Sequence, residues 1–327
     1  MLRAYGPSRN GELVDAASEK IPDDATWIDL EQPTEAEEQL VERCLQLDIP
    51  TPEQLKEIEP SSRLYERGGA IYMTMSTLWG VRDGAPAAAP IGFVLAGSRL
   101  VTVRYVTPKP WLSFIAHVRR EPEIVKDSLT ALVRLLDAII DRLADELEAS
   151  GEELEKISQH IFRREDREGE KGRRIPADRL EALLNRVGRA QVLLARVRET
   201  AVSSARVVSF LHATERIQAE PRDRDRVQSL AADVNSLVEH SAFLANNLSF
   251  LLQASLGLIS IEQNTAIKVF SVAAVVLLPP ALVAGVYGMN FEHMPELDWL
   301  GGYPWALGLM LASAILPYWW FKRRGWL

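Results

Sequence analysis

Short runs of β-branched and aromatic residues mark the first third of the chain. "TWIDL" (Thr26 to Leu30), "AIYMTMSTLW" (Ala70 to Trp79), "PIGFVLA" (Pro90 to Ala96) and "RLVTVRYV" (Arg99 to Val106) are each bounded by Gly, Pro or polar residues and predict strands. "PTEAEEQLVERCLQL" predicts a helix, with Pro33 ahead of Thr34 as N-cap and Glu37 three residues on as its capping-box partner. Together they predict an α/β domain over residues 1–120.

From there the apolar period lengthens to that of helices. One long helix is expected from Glu123 to about Arg167 and a second from Pro176 to about Thr214, with the charged "RREDREGEKGRR" as an exposed turn between them. A third starts near Pro221, with Asp223 and Asp225 in a first turn that suits the helix dipole. Leu230, Leu237, Leu244, Leu251 and Leu258 repeat every seven residues, beside Val227, Val234, Ser241, Leu248 and Ser255. That heptad predicts helix packing along the whole length. It is compatible with an intramolecular bundle. A helix running from Pro221 to Tyr287 would, however, be roughly 100 Å long at about 1.5 Å per residue. Such a length outgrows one domain's core and favours an assembly of several copies.

Two runs at the end carry no charge: Val269 to Phe291, 23 residues, and Leu300 to Phe321, 22 residues. Each meets the requirement of about 20 apolar residues for a membrane span. The expected spans are about 268–288 and 301–321, joined by a loop over 289–300. Lys268 precedes the first and Lys322 to Arg324 follow the second, whereas the loop has no Lys or Arg. The positive-inside rule places both termini in the cytoplasm and the loop outside. Tyr318, Trp319, Trp320 and Trp326 at one end, and Tyr287, Trp299, Tyr303 and Trp305 at the other, suit aromatic belts. Glu292, Glu296 and Asp298 in the loop would concentrate cations. The expected fold class is therefore α+β. An α/β sandwich with long helices (the helices over 121–266) is joined by a stalk helix to a two-helix transmembrane region (267–327).

The net charge of -8 argues against nucleic acid as a partner. Cys44 is the single cysteine, so there is no disulfide framework. The N-terminus lacks the apolar core of a signal peptide, which keeps the bulk of the chain in the cytoplasm. There is no P-loop and no catalytic triad context. No enzyme activity and no cofactor are expected.

Carried into the first span, the heptad stripe becomes small or polar. Asn264, Ser271, Leu278 and Gly285 fall on one line, and Ile267, Ala274, Ala281 and Gly288 beside it. Small residues permit close helix approach; a weakly polar face can equally line a narrow pore. The asparagines at its two ends, Asn264 and Asn290, favour the pore. Leu278, near mid-membrane, is a candidate hydrophobic gate. Pro279 and Pro280 remove two backbone bonds and should bend the helix.

At "YGMNFEHMPELDW" the sequence resembles the CorA family of magnesium and cobalt transport proteins, whose signature is the tripeptide found here as Gly288, Met289 and Asn290. "MPEL", "IEQNTAIKVFSV", "LPP", "GYP" and "FKRRGWL" fit the same family, with weaker echoes at "WIDLEQP" and "PEQLKEIEPSSR". The resemblance implies a homopentameric funnel in the cell inner membrane, its pore lined by the first span and ringed by the second. It also implies Mg²⁺ as cargo, with Co²⁺ and Ni²⁺ beside it. The superfamily's zinc branch departs from the Met and the "MPEL" loop that this chain keeps.

The chemistry suits the cargo. Mg²⁺ demands octahedral geometry and gives up water reluctantly. A ring of Asn290 amides would hydrogen-bond the ion's first-shell waters and hold it without trapping it. A helix C-cap turn would also explain Gly288, but not the acidic loop. His293 reads as a solvated loop residue. If internal Mg²⁺ closes the pore, it binds the closed state better, through hard oxygen ligands between protomers. Asp83, Asp225 and Asp233 are the candidates. Zinc transport, and a coiled-coil scaffold anchored in lipid without transport, are the alternatives.

Overall fold

The computed structural model describes residues 1–18, 20–162, 177–289, 294–295 and 299–325. It divides into two compact units, residues 1–166 with 183–252, and residues 167–182 with 253–327.

The first unit is built on seven strands: β1 (Leu2–Gly6), β2 (Arg9–Leu13), β3 (Trp27–Glu31), β4 (Leu64–Arg67), β5 (Ala70–Trp79), β6 (Ala87–Ala96) and β7 (Arg99–Arg104). Their order is β2-β1-β3-β7-β6-β5-β4. Only β3 and β7 pair in parallel, Trp27 opposite Leu100; the other pairs are antiparallel. The four expected strands are present. The edge strands β2 and β4 and the strand β1 were not legible, because "RNGEL" and "LYER" lack the apolar runs that betray a central strand. Between β4 and β5, Gly68 and Gly69 take φ of 60° and 76°, as a two-residue hairpin turn requires.

Both faces of the sheet are covered, which is why its central strands are apolar without alternation. On one face Tyr5, Trp27, Met73, Met75, Ile91, Phe93 and Leu95 form a core with helices α4 to α8. On the other, Leu2, Ile28, Leu30, Val94, Val101 and Val103 pack with Leu40 and Val41 of α1 (Glu35–Leu45) and Leu55 of α2 (Pro52–Leu55). The capping box of α1 is formed as expected. The Thr34 hydroxyl accepts from the Glu37 N–H at 3.4 Å, and the Glu37 carboxylate accepts from the Thr34 N–H at 2.8 Å. A short α3 (Pro60–Arg63) precedes β4.

The helix α4 (Lys109–Arg120) was not expected; Pro108 and Pro110 flank its first residue. They sit at its start, where missing N–H groups cost nothing, and Trp111, Phe114 and Val118 form its buried face. The long helix expected from Glu123 begins later. A 3-10 turn (Pro122–Val125) comes first, and α5 spans Ser128–Phe162. Asp127 sets that start: its carboxylate accepts from the N–H and hydroxyl of Thr130, both at 2.7 Å. The helix α6 spans Ala177–Ala213, α7 Glu215–Gln218, and α8 Pro221–Tyr287, 67 residues that continue through Pro279 and Pro280. The expected turn over 163–174 lies outside the described residues.

The heptad has a different use from the one its length suggested. Val227, Leu230, Val234 and Leu237 join the core that the sheet shares with α5 and α6. Leu244, Leu248 and Leu251 are buried too. Their cover comes from the same chain, so these leucines are not what calls for further copies.

One buried ion pair fixes the centre of the sheet. Asp29 on β3 accepts from Arg104 on β7 twice, at 3.2 Å from Nε and 2.8 Å from Nη2, and from the Thr102 hydroxyl at 2.7 Å. Both charges are almost fully buried. Removing Arg104 leaves Asp29 a buried charge without its counter-ion, at a cost of about 3–5 kcal/mol; Arg104 also pairs with Glu31 at 2.8 Å.

In the second unit the described structure is mostly helix: the latter part of α8, and α9 (Gly302–Arg323).

Candidate ion-conduction site

At about 100° per residue, the shielded side chains of the latter part of α8 form one stripe. Val272, Val276, Pro279, Pro280, Val283 and Tyr287 are buried or half-buried. On α9 the shielded positions also recur at helical spacing, Gly302, Ala306, Met310, Pro317 and Phe321. The rest of both helices is open and apolar. Among the described residues one helix, Pro221–Tyr287, is long and apolar enough to cross a membrane. The helix α9 has the length, but its tyrosines, tryptophans and prolines dilute its hydropathy.

All seven residues of the expected pore stripe, Asn264, Ile267, Ser271, Ala274, Leu278, Ala281 and Gly285, are exposed. They fall in a second arc, centred roughly 160° from the shielded one. Larger apolar residues border it, Phe270 and Leu277 on one side and Val275 on the other, and Leu282 falls on its edge at the same angle as Asn264; all four are exposed. Within the arc Ser271, Ala274, Ala281 and Gly285 are small. Leu278 is the bulky residue among them.

At the end of α8 the Gly288 N–H donates to the Ala284 carbonyl at 2.9 Å and the Met289 N–H to the Val286 carbonyl at 3.2 Å. Gly288 does not adopt the left-handed conformation of a glycine C-cap. A Cβ there would stand 3.1 Å from the Ala284 carbonyl oxygen. Close backbone approach, and not a positive φ, is what a side chain at Gly288 would disturb. Asn290, Glu292, His293, Glu296 and Asp298 lie outside the described residues. So does Trp326. At the other end of α9, the guanidinium of Arg323 lies 4.0 Å from the ring centroid of Trp319, and that of Arg324 4.9 Å from that of Trp320. These are cation–π contacts that keep charge and aromatic surface together.

The three candidate sensor acids are dispersed. Asp83 is exposed in the β5–β6 turn, its N–H donating to the Gly80 carbonyl at 3.2 Å. Asp225 is exposed and lies 3.6 Å from the guanidinium of its neighbour Arg224. Asp233 faces acids of α5: burial, then Asp137, Asp145 and Asp233 in turn, push the Asp141 carboxyl above its ordinary value. Among the described residues no group of three or more His, Cys, Asp or Glu is placed to hold a metal ion. Sequence reasoning missed those α5 acids, whose only signal is the i, i+4, i+8 spacing of Asp137, Asp141 and Asp145.

A mixed sheet carrying long helices, with one helix apolar enough for a bilayer, fits a protein attached to a membrane, and the comparisons narrow it. The fold superposes on the complete structure of the CorA magnesium transporter from Methanocaldococcus jannaschii with a TM-score of 0.76, at 18% identity, covering 100% of this chain and 99% of that one. The family description "CorA-like Mg2+ transporter protein" matches residues 22–323, and the chain belongs to that family. It is 34% identical over 330 residues to the magnesium transport protein CorA of Haemophilus ducreyi, covering 100% of both chains. It is 33% identical over 301 residues to that of Yersinia pseudotuberculosis, covering 92% of each.

Proposed function

We propose that the chain is a Mg²⁺ channel, with Co²⁺ and Ni²⁺ as further cargoes. It assembles as a homopentamer in the cell inner membrane, with both termini in the cytoplasm. Residues 1–120 and the helices over 121–266 form the cytoplasmic part, and 267–327 the membrane part, with α9 as the second span. The observation that carries this is the small and weakly polar arc on α8. It is open in the single chain, turned away from the shielded stripe, and leads to Gly288 and Met289, with Asn290 next in the sequence.

Five copies with their arcs facing one axis would enclose a narrow path. Glu292, Glu296 and Asp298 raise the local concentration of cations at its mouth. The Asn290 amides accept hydrogen bonds from water bound to Mg²⁺, so the ion enters without losing its shell. Ser271, Ala274, Ala281 and Gly285 leave room for a hydrated ion. Leu278 narrows the path to an apolar constriction that closes by dewetting. Asn264 offers a second polar ring. Internal Mg²⁺ favours the closed assembly by bridging carboxylates of neighbouring protomers, with Asp83, Asp225 and Asp233 as the acids to test.

The test is flux in proteoliposomes holding the purified chain. Uptake of Mg²⁺, inhibited by Co²⁺ and not reproduced by Zn²⁺, is expected. Zn²⁺ uptake without Mg²⁺ uptake would replace the cargo, and no flux of any of the three would leave a membrane-anchored scaffold.

A further inference from the structure

A cavity of about 710 Å³ opens in the first unit, lined by α2 and the residues after it, α3, β5, β6, α6 and one residue of α8. Its charges are unbalanced. Lys56, Arg63, Arg198 and Arg206 line it with four cations, against Glu57 and Glu199. Glu199 is already engaged by Arg196 at 2.9 Å. Among the described residues none of the four cations has a carboxylate in ion-pair range.

Arg63 is the centre of this imbalance. Its Nη2 donates to the Ser76 hydroxyl at 3.2 Å, and its Nε is buried with no partner. The Ser76 N–H donates to the Ser203 hydroxyl at 2.9 Å, which ties β5 to α6 beside it. Burial, and then the charge of Arg206, push the Arg63 pKa below its ordinary value, with Glu199 opposing. A buried donor without an acceptor and two cations without a counter-ion are both unfavourable. One multivalent oxyanion in the cavity relieves the second: its charge offsets the repulsion between Arg63 and Arg206. Guanidinium groups suit phosphate in geometry as well as charge.

We propose that this cavity is a binding site for a phosphate-bearing anion, with Arg63 and Arg206 as its principal contacts. The apolar part of the lining is aliphatic, Leu55, Ile58, Pro90, Leu194 and Val202, with no aromatic ring to stack on a base. The phosphate group is therefore what is recognised, whether it comes from an inorganic phosphate or from a nucleotide.

Titration calorimetry on the full-length chain in detergent and Mg²⁺-free buffer tests this. Sodium pyrophosphate, inorganic phosphate and ATP are added separately, with sodium chloride matched for ionic strength. Saturable binding of pyrophosphate is expected, weakened about tenfold or more in both Arg63→Gln and Arg206→Gln and unchanged in Arg120→Gln, an exposed arginine on α4. ATP bound as tightly as pyrophosphate points to nucleotides as a source; ATP bound more weakly points to inorganic anions. Without any anion, Arg63→Gln should melt no lower than the parent, since it removes a repulsion. Absence of saturable binding in the parent chain overturns the site. So does wild-type affinity in both Arg63→Gln and Arg206→Gln. Neither result depends on Mg²⁺ flux, so the channel proposal stands or falls separately.

Discussion

Leu278 stands two residues beyond Val276 on α8, about 200° round the helix, and is 72% exposed where Val276 is half-buried. The single chain thus shields one side of its most apolar helix and leaves open the side that carries Ser271, Ala274, Ala281 and Gly285. A helix meant only to sit in lipid gains nothing from small side chains on an open face. A helix that meets copies of itself around a path for ions does.

Asn290→Ala should abolish Mg²⁺ uptake while leaving assembly intact. The amide is proposed to hold water on the ion, and Ala keeps none of that chemistry. Uptake into cells with a Mg²⁺-sensitive dye, beside oligomer mass in detergent, checks both halves. Wild-type uptake by a correctly assembled variant removes the filter role.

The stalk leucines should matter to the protomer itself. Leu244 is 3% exposed, so Leu244→Ala should cost about 2–5 kcal/mol. Leu237 is only half-buried and should cost less in the same substitution. Unfolding midpoints of the two variants give the order, and a larger loss at Leu237 would contradict the packing described.

Burial alone would raise the Glu31 carboxyl, but hydrogen bonds from Thr107 and Arg104 outweigh it and hold the group below its ordinary 4.5. A depressed carboxylate adds stability that is present above its unfolded value and is lost as pH falls through the folded one. Glu31→Gln should therefore lower stability at pH 7 by roughly 1–2 kcal/mol, discounted for partial exposure. The gap from the parent should narrow as pH falls below the ordinary 4.5 and through the lower folded value. Melting temperatures of both chains from pH 7 to pH 3 measure it; a gap that stays constant contradicts the pairing.

Much of this was legible in the chain. The heptad and the absence of proline before Pro279 were enough for α8 from Pro221 to Tyr287, because a strong local period needs no tertiary knowledge. Thr34 and Glu37 announced α1 for the same reason. What stayed hidden depends on partners distant in sequence. Asp29 and Arg104 are 75 residues apart, and only strand order brings them together. The fate of the heptad was likewise undetermined, since leucines at a seven-residue spacing pack equally well against α5 and α6 or against another copy. The basic cavity has no signature at all: Arg63 and Arg206 come from separate stretches with nothing in common.

Neutralising Asp83, Asp225 or Asp233 to Asn should weaken closure by internal Mg²⁺ and raise uptake in Mg²⁺-replete cells. Asp233 is the one of the three whose charge acts on an acid of α5, raising the Asp141 carboxyl. Uptake against internal Mg²⁺ is the readout. If all three variants shut at the parental concentration, the sensing acids are elsewhere.

The path itself is tested most directly by thiol accessibility during flux. Cys44→Ser removes the single native cysteine, and cysteines are then placed singly at Ser271, Ala274 and Ala281 within the arc, and at Val272, Val276 and Leu277 outside it. Each variant is reconstituted, and Mg²⁺ flux is recorded before and after a charged, membrane-impermeant thiol reagent. The account predicts that modification blocks flux at Ser271, Ala274 and Ala281 and spares it at Val272, Val276 and Leu277. Block at the second set with sparing of the first would place the ion path on another face of α8 and contradict it.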